Sequence, residues 1–364
     1  MYPTLLSPMT VGTLHLKNKI MLAPVYVGQA NTNGTVSPET ISHYEKIAAS
    51  GTAFLVVEAT SVAPSSDATP FGLRIYDDRY LDGLSRLAQA IKAHNALACL
   101  QLFHAGRYTR VLAPLSASAV PFHPAPEVTV TPKEMTVREI KDVVDSFAKA
   151  AQRARKAGFD CVELHGSTGY LIVQFLSPLT NIRTDQYGGS LENRMRFPLE
   201  VLRAVKDASG EDFPVGIKFL ADDFLPGGFS FTEAKIFARR LEEAGIAYLS
   251  VSAGVYDSYF LPEVMAKLHE QGGLAPICSD LKNEVNTPVF CGNRISTPEL
   301  AEALLARHDA DGVALGRPLL RDPEYVLKAL EGRADAIVKC ISCHGCMQLV
   351  MKDKRVHCVQ NKAK

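Results

Sequence analysis

The sequence has no excess of charge of either sign and no long apolar run, and these absences exclude several kinds of protein. Its 364 residues contain 39 Lys and Arg and 39 Asp and Glu, so the formal net charge is zero. A balanced charge gives no electrostatic basis for binding nucleic acid or an anionic membrane. There is no stretch of about 18 consecutive apolar residues, and no basic N-terminal segment leads into an apolar run as in a secretory signal. We therefore expect a soluble, cytoplasmic protein.

A dinucleotide-binding fingerprint is also missing, because no G-x-G-x-x-G motif follows any candidate strand. Its absence disfavours a doubly wound fold. The sequence instead alternates short apolar runs with amphipathic stretches. Eight runs, apolar on both faces, predict buried parallel strands. They are residues 20–24, 54–59, 97–103, 160–165, 214–219, 248–252, 288–292 and 311–316.

The stretches between these runs have helical periodicity and helix-terminating residues. The predicted helices are 37–50, 81–95, 136–158, 191–209, 230–245, 262–271 with a further turn near Asp280, 297–308 and 323–332. N-caps are expected at Ser37, Thr136 and Thr297, and C-terminal glycines at Gly51, Gly158 and Gly245. Eight strand–helix units with right-handed crossovers predict an α/β fold, a (β/α)8 TIM barrel over residues 1–335. Residues 336–364 would form a small cysteine-rich, cluster-binding segment.

The active site of such a barrel lies at the C-terminal ends of its strands. A lone histidine there would more often be structural, but small or polar residues end all eight strands. They include Pro24, Ala59, Gln101, His104, His165, Tyr170, Lys218, Ser252, Gly292 and Gly316. The segment 111–135, rich in Pro, Ser and Ala, is too long for a simple connection. We expect it to be a lid or a substrate-binding loop on this face.

Glycines end the seventh and eighth strands, where many barrels bind a phosphate group through backbone N–H groups and a following helix. Gly292 and Gly316 are followed by helix-start signals at 296–298 and 322–323, and Arg294 or Arg317 could add positive charge. The alternative is that both glycines only permit tight turns. We favour the phosphate site.

Several motifs in this order resemble the Old Yellow Enzyme family of flavin-dependent oxidoreductases. They are 18–24 (NKIMLAP), 57–59 (VEA), 101–107 (QLFHAGR), 165–171 (HGSTGYL), 175–178 (FLSP), 181–190 (NIRTDQYGGS) and 192–194 (ENR). The resemblance runs from about residue 4 to residue 330. With the cysteine-rich end added, the whole chain resembles the catalytic part of the iron–sulfur branch, which includes 2,4-dienoyl-CoA reductase and trimethylamine dehydrogenase.

The resemblance implies an FMN cofactor bound at the mouth of the barrel. Pro24, Val25 and Tyr26 would lie along the flavin ring, and Ala59 would lie near its edge. The Gln101 amide would hydrogen-bond the pyrimidine part of the ring. Lys218 stands where the family commonly has an arginine, and it would act as a point charge rather than a bidentate fork. The phosphate cradle would consist of Gly292, Asn293, Gly316 and Arg317.

On the substrate side, the resemblance assigns His165 and Thr168 to the carbonyl oxygen and Tyr170 to proton donation. The family usually has His or Asn at the second position, so the Thr168 hydroxyl is a shorter and weaker donor. The Tyr170 phenol has a reference pKa near 10 and stays protonated at neutral pH, so it can protonate the carbon next to the carbonyl. The alternative for Tyr170 is a tyrosine packed at the rim of the barrel.

Four of the eight cysteines crowd the C-terminal segment: Cys340, Cys343, Cys346 and Cys358. Three closely spaced thiolates and a remote fourth can bind a [4Fe–4S] cluster, in which each iron takes one soft ligand. Zinc is the alternative metal, because His344 and His357 could also serve as zinc ligands. Structural zinc sites, however, more often use two separated pairs of Cys or Cys/His ligands. Cys99, Cys161 and Cys291 lie in predicted strands and are expected to be inert core residues.

The leading hypothesis is an FMN and [4Fe–4S] enzyme that reduces the C=C bond of an α,β-unsaturated carbonyl or thioester. One alternative is an amine or C–N dehydrogenase that passes electrons out through the cluster, and another is an electron-transfer subunit of a larger complex. We expect electrons to enter or leave through a separate protein or subunit, or by direct contact of NAD(P)H with the flavin. A small-molecule unsaturated substrate is expected, without nucleic acid or membrane, and homo-oligomerisation stays open.

Overall fold

The computed structural model describes residues 2–110, 113–125, 127–352 and 355–361. Eight parallel strands form a closed barrel, in which each strand pairs with the next and the eighth pairs with the first. The strands are β1 (Ile20–Leu22), β2 (Phe54–Ser61), β3 (Leu97–Phe103), β4 (Cys161–Gly166), β5 (Val215–Leu220), β6 (Leu249–Ser252), β7 (Val289–Cys291) and β8 (Gly312–Leu315). Each lies within one or two residues of its predicted position. The TIM barrel is confirmed.

Helices follow the strands and cover the barrel. They are α1 (Pro38–Ala49), α2 (Leu81–Lys92), α3 (Val137–Lys156), α4 (Leu171–Leu176), α5 (Leu191–Ser209), α6 (Phe231–Glu243), α7 (Pro262–His269), α8 (Ala275–Lys282), α9 (Pro298–Ala306), α10 (Arg317–Arg321), α11 (Tyr325–Leu330) and α12 (Gly345–Met351). The predicted N-caps are confirmed, since the side chains of Ser37, Thr136 and Thr297 each accept a backbone N–H from the first turn. No helix in these described ranges is long and apolar enough to cross a membrane.

The apolar core is divided by the barrel wall. The larger cluster packs the outer faces of the strands against the helices. The smaller one fills the lower barrel interior with Met21, Phe54, Cys99, Tyr248 and Phe290. A hairpin of strands Met9–Val11 and Leu14–Leu16 packs into the same cluster. Because Gly12 in its turn lies against Pro214 and Ala247, which immediately precede β5 and β6, the hairpin covers the amino end of the barrel.

One predicted helix differs from the structure, and the long 111–135 segment contains regular structure. The 323–332 helix is shorter, covering Tyr325–Leu330, and a separate short helix begins at Arg317, directly after Gly316. The helix after β8 therefore starts closer to the glycine than the 322–323 signal indicated. The 111–135 segment, for which we expect a role as a lid or substrate-binding loop, contains short strands, and its residues 111–112 and 126 lie outside the described residues. Strand Leu115–Ser116 pairs with Lys133–Glu134, and Phe122–Ala125 pairs with Val128–Val130.

The cysteine-rich segment docks on the carboxyl-end side of the barrel. Its first part is held by Asp322, whose carboxylate accepts the backbone N–H of Val338 over 2.8 Å. Further on, the backbone N–H of Val356 donates to the carbonyl of Val27 in the loop after β1, also over 2.8 Å. The segment is therefore attached to loops that follow the first and the last barrel strands.

Candidate active site

The carboxyl end of β4 carries His165, and the turn that follows carries Tyr170 at the start of α4. Their ring centroids lie 4.8 Å apart in an edge-to-face arrangement. Phe103, the last residue of β3, packs edge-on against Tyr170 at 4.6 Å. Both His165 and Tyr170 are half-buried. The structure therefore brings together two of the three predicted catalytic side chains on one rim of the barrel.

The Tyr170 hydroxyl forms a hydrogen bond of 2.6 Å with the hydroxyl of Tyr256, in the loop after β6. Burial, followed by the nearby Tyr256 hydroxyl, raises the pKa of Tyr170 well above 10. Tyr108 lies edge-on to both rings, with centroids 5.9 Å from Tyr170 and 5.1 Å from Tyr256. These contacts hold the Tyr170 phenol in its protonated form, with a second hydroxyl directly behind it.

Thr168 has a left-handed backbone conformation with φ of +65°. Its hydroxyl lies 3.0 Å from the hydroxyl of Ser167, which in turn accepts a 2.8 Å hydrogen bond from Ser252 at the end of β6. The Thr168 backbone also bridges to Val255 in the loop after β6. Thr168 is therefore fixed by a chain of hydroxyls that links the ends of β4 and β6.

Below the rim, the barrel interior is polar. The Gln101 amide donates to the Glu163 carboxylate over 2.8 Å, and the Tyr248 hydroxyl donates to its other oxygen over 3.1 Å. Lys218, which pairs with His165 in strand register, donates to Ser250 over 3.1 Å. Burial raises the pKa of Glu163 to about 7, although the Lys218 charge opposes the rise. Burial also lowers the pKa of Lys218, against the attraction of Glu163.

The strand β2 has a register irregularity between Val57 and Thr60, where Glu58 and Ala59 lie. A bulge of this kind re-aims side chains. The fully buried Glu58 carboxylate accepts the backbone N–H of Val27 over 2.9 Å, which fixes the loop after β1. Burial raises the pKa of Glu58 to about 8. Pro24, Val25, Tyr26 and Ala59, the residues predicted along the flavin, are all half-buried at this side of the mouth.

The residues predicted for the phosphate cradle follow β7 and β8. Asn293 and Arg294 both have positive φ, +65° and +53°. A Cβ atom at Gly316 would lie only 2.9 Å from a methyl group of Val25, so a larger residue would push into the loop after β1. Asn293 donates to the carbonyl of Leu268 over 2.9 Å. The predicted cradle residues therefore follow two neighbouring strands: Gly292 and Asn293 follow β7, and Gly316 and Arg317 follow β8, with Arg317 as the first residue of α10.

Several buried polar atoms around the mouth have no hydrogen-bond partner within the described residues. They are Gln29 Oε1, Glu58 Oε1, His165 Nδ1 and Arg294 Nε, on loops or strands at four places around the barrel. Buried polar groups are nearly always satisfied, and exceptions point to a missing ligand or water. Together with the half-buried Lys218 and the cradle glycines, these atoms fit a polar, ring-shaped cofactor such as FMN.

The four C-terminal cysteines line one cavity, which is bounded also by Arg317, Leu320 and His344. Within the residues that the structure describes, no three Cys, His, Asp or Glu side chains converge to hold a single metal ion. The other four cysteines, Cys99, Cys161, Cys278 and Cys291, are buried, as expected for core residues.

Sequence reasoning did not single out Glu58, Glu163 or Tyr256 as parts of the site. The two glutamates lie inside apolar runs, where a buried acid is itself a signal that could have been used. Tyr256 lies in a loop and has no periodicity or spacing that marks it. Its position opposite Tyr170 depends on how β4 and β6 are arranged around the barrel.

Comparison with known proteins places these observations in a family. Residues 4–336 match the model of the NADH:flavin oxidoreductase / NADH oxidase family. The NADH oxidase of Thermoanaerobacter brockii is 41% identical over 99% of this chain, which covers 56% of that protein. The NADPH dehydrogenase of Clostridium acetobutylicum is 35% identical over 88% of this chain and 92% of its own length. A solved complex of 2-naphthoyl-CoA reductase has 28% identity and a TM-score of 0.94, covering 99% of this chain and 57% of that one.

These matches differ in how much of the chain they cover. The longer proteins match 99% of the chain, whereas the shorter dehydrogenase matches 88% of it. The chain thus spans a little more than half the length of the longer proteins. Given the barrel, the mouth and the match over residues 4–336, the chain belongs to the NADH:flavin oxidoreductase / NADH oxidase family of oxidoreductase enzymes.

Proposed function

We propose that this protein is an FMN-dependent reductase of the C=C bond in α,β-unsaturated carbonyl compounds or thioesters, with NAD(P)H as reductant. The observation that carries the proposal is the pair His165 and Tyr170, with ring centroids 4.8 Å apart at the barrel mouth. Bound FMN would take hydride from NAD(P)H and deliver it to the β-carbon of the alkene. The chain must then hold the carbonyl oxygen and supply one proton to the α-carbon.

His165 is suited to hold the carbonyl oxygen. Burial, and then the Lys218 charge, lowers the pKa of His165 to about 3, so the ring is neutral at physiological pH. A neutral imidazole has one N–H donor and one acceptor. Its buried Nδ1 has no partner within the described residues, so the ring can engage a ligand without losing an existing hydrogen bond. Thr168, held by Ser167, is the proposed second donor.

Tyr170 is suited to give the proton. Burial keeps its phenol protonated, and its hydroxyl is already hydrogen-bonded to that of Tyr256. Tyr256 is 39% exposed, so it connects the half-buried Tyr170 with solvent. After Tyr170 has given its proton to the α-carbon, Tyr256 can return one from water. The tyrosine pair thus supports reduction of an alkene, a reaction that consumes one proton per turnover.

We propose in addition that Cys340, Cys343, Cys346 and Cys358 hold a [4Fe–4S] cluster. In a [4Fe–4S] cluster each of the four irons binds one thiolate, so the four thiolates surround the cluster. A single zinc ion would instead bind all four thiolates itself. The four cysteines line one cavity, and this shared position supports the cluster. A separate electron-transfer protein or subunit would exchange electrons with it.

The name of the related 2-naphthoyl-CoA reductase supports a thioester among the substrates of this chain. The test is anaerobic spectroscopy of the purified protein. Protein reduced with NADPH is mixed with a cyclic enone or an enoyl-CoA thioester, and oxidised protein is mixed with a primary or tertiary amine. We expect the alkene to restore the oxidised flavin spectrum and the amines to leave it unchanged. Bleaching by an amine, together with no response to any alkene, would overturn the proposal in favour of a dehydrogenase.

A further inference from the structure

A histidine of the cysteine-rich segment lies against the barrel. His344, between Cys343 and Cys346, has a left-handed backbone conformation with φ of +57°. Its ring stacks on that of His269, the last residue of α7, with centroids 5.3 Å apart and planes inclined by 22°. Its Nε2 atom is buried and has no hydrogen-bond partner within the described residues. His344 is therefore fixed in place, with one polar atom left unsatisfied.

Two arginines accompany this histidine. Arg294, in the loop after β7, donates to the carbonyl of His269 through Nη1, while its buried Nε has no partner in the described part of the chain. Arg317, directly after Gly316, lines the same cavity as His344. Neither arginine forms an ion pair with a carboxylate among residues 2–110, 113–125, 127–352 and 355–361.

Arg317 and His344 line the cavity of the four cysteines, whose thiolates can accept from them. Arg294 does not belong to that lining, so its buried Nε still needs an acceptor of negative charge. A phosphate monoester suits this group, since arginine donors bind phosphate oxygens strongly and in a fixed geometry. Arg294 and Arg317 belong to the two loops where the FMN phosphate is proposed to bind. His344 belongs to a different part of the chain, which the sequence assigned only to the cluster.

We propose that His344 completes the phosphate site, donating a hydrogen bond from Nε2 to the FMN phosphate together with Arg294 and Arg317. The cysteine-rich segment is then one wall of the flavin site as well as the cluster site. This inference rests on the proposed function, in that it requires FMN to bind at the barrel mouth. The docking of Val356 on Val27 agrees with it, because it fastens the same segment to the loop that lines the flavin.

The test compares two flavins that differ only in the phosphate. The full chain is purified with its flavin, the flavin is removed by dialysis, and the dissociation constants of FMN and riboflavin are measured by fluorescence quenching. The variants are His344→Ala and His344→Gln, with His357→Ala as a control that removes an exposed histidine from the same segment. Iron content and melting temperature are measured in parallel.

We expect His344→Ala to weaken FMN binding roughly 10- to 100-fold, the usual worth of a hydrogen bond to a charged group, and to leave riboflavin binding within about twofold. His344→Gln keeps a donor and should fall between wild type and His344→Ala, and His357→Ala should match wild type. Equal weakening of both flavins, or no change in either, would overturn the inference while the proposed function stands. A wild-type chain that binds neither flavin would overturn both.

Discussion

The hydroxyl oxygens of Tyr170 and Tyr256 lie 2.6 Å apart, although the two residues come from loops that follow different strands. One hydroxyl faces the half-buried rim beside His165, and the other belongs to a residue that is exposed to solvent. This pair gives the proposed proton a defined route from water to the reacting carbon.

Replacing Tyr170 with Phe removes the proposed proton donor and leaves the ring packing against Phe103 and His165 nearly unchanged. Alkene reduction should slow by about 10²–10⁴-fold, the usual contribution of a positioned general acid. Reduction of the protein by NADPH should keep its wild-type rate, because it does not use this proton. Stopped-flow absorbance measures both half-reactions separately, and a wild-type rate of alkene reduction would refute the role of Tyr170.

The Tyr256→Phe variant should have a smaller effect, about 3- to 30-fold on alkene reduction, because water can replace the relay but not the donor itself. Its solvent isotope effect on turnover should be larger than that of wild type. Phe260, an exposed aromatic residue of the same loop, provides a control in Phe260→Ala. If Tyr256→Phe and Phe260→Ala behave alike, the relay is wrong and Tyr256 only packs against Tyr170.

His165→Ala removes the proposed ligand of the carbonyl oxygen. The KM for the alkene should rise about 10-fold or more and kcat should fall, because both binding and transition-state stabilisation are lost. His104 is the matched comparison. It directly follows the neighbouring strand β3, but its Nδ1 accepts the backbone N–H of Gly106 and its Nε2 lies 3.2 Å from Ser65 Oγ. His104→Gln should lower the melting temperature without a selective effect on KM. If His104→Gln raises KM selectively and His165→Ala only lowers the melting temperature, then His104 rather than His165 holds the carbonyl oxygen.

Glu58 predicts a pH dependence of stability. Burial raises its pKa from 4.5 to about 8, so the folded protein binds a proton that the unfolded chain releases between these values. The free energy of unfolding should therefore fall as pH rises from about 5 to 8, by at most about 1.4 kcal/mol per pH unit from this group. Glu58→Gln keeps an acceptor for the Val27 N–H and should remove that fall.

Urea denaturation at pH 5, 6, 7 and 8 checks this prediction. The stability advantage of Glu58→Gln over wild type should grow across the series, whereas the exposed control Glu211→Gln should show a constant difference. Burial also raises the pKa of Glu163, to about 7. Glu163 therefore makes its own contribution to the fall of the free energy of unfolding with pH, and this contribution is the same in wild type and in Glu58→Gln. Parallel curves for wild type and Glu58→Gln would show that Glu58 is ionised in the fold throughout this range.

Cys346→Ser tests the metal of the C-terminal segment. We expect about four irons per chain in anaerobically prepared wild-type protein and a loss of most of them in the variant, because a hydroxyl is a poor ligand for a soft iron–sulfur cluster. Cys278→Ser, which alters a buried core cysteine, should keep its iron. Stoichiometric zinc without iron in the wild-type protein would contradict the cluster.

The strands could be located from the sequence because each is a short apolar run bounded by polar or glycine-rich turns. A strand that is buried on both faces is apolar at successive positions, and such a run is visible in the sequence. The cap residues Ser37 and Thr136 act through hydrogen bonds to residues three positions away, so they too could be predicted from local sequence. The five-residue helix that begins at Arg317 was missed because it is too short for helical periodicity, and its position depends on the Gly316 turn.

The polar layer inside the barrel could not be predicted in the same way. The Gln101 amide donates to Glu163, and that partnership depends on the register of β3 against β4. Likewise, His344 lies beside Arg317 only because the C-terminal segment folds back to the first and last strands. Contacts between distant parts of a chain leave no mark in local composition.

The hairpin at the amino end of the barrel has a kinetic consequence. Val11, Leu14 and Leu16 close that end with apolar side chains, so reactants can approach the polar interior only from the carboxyl face. If NAD(P)H and the alkene must both use this face, they compete for one vacant position and alternate rather than bind together. Steady-state data should then give parallel double-reciprocal lines, with each reactant inhibiting at high concentration by occupying the place of the other.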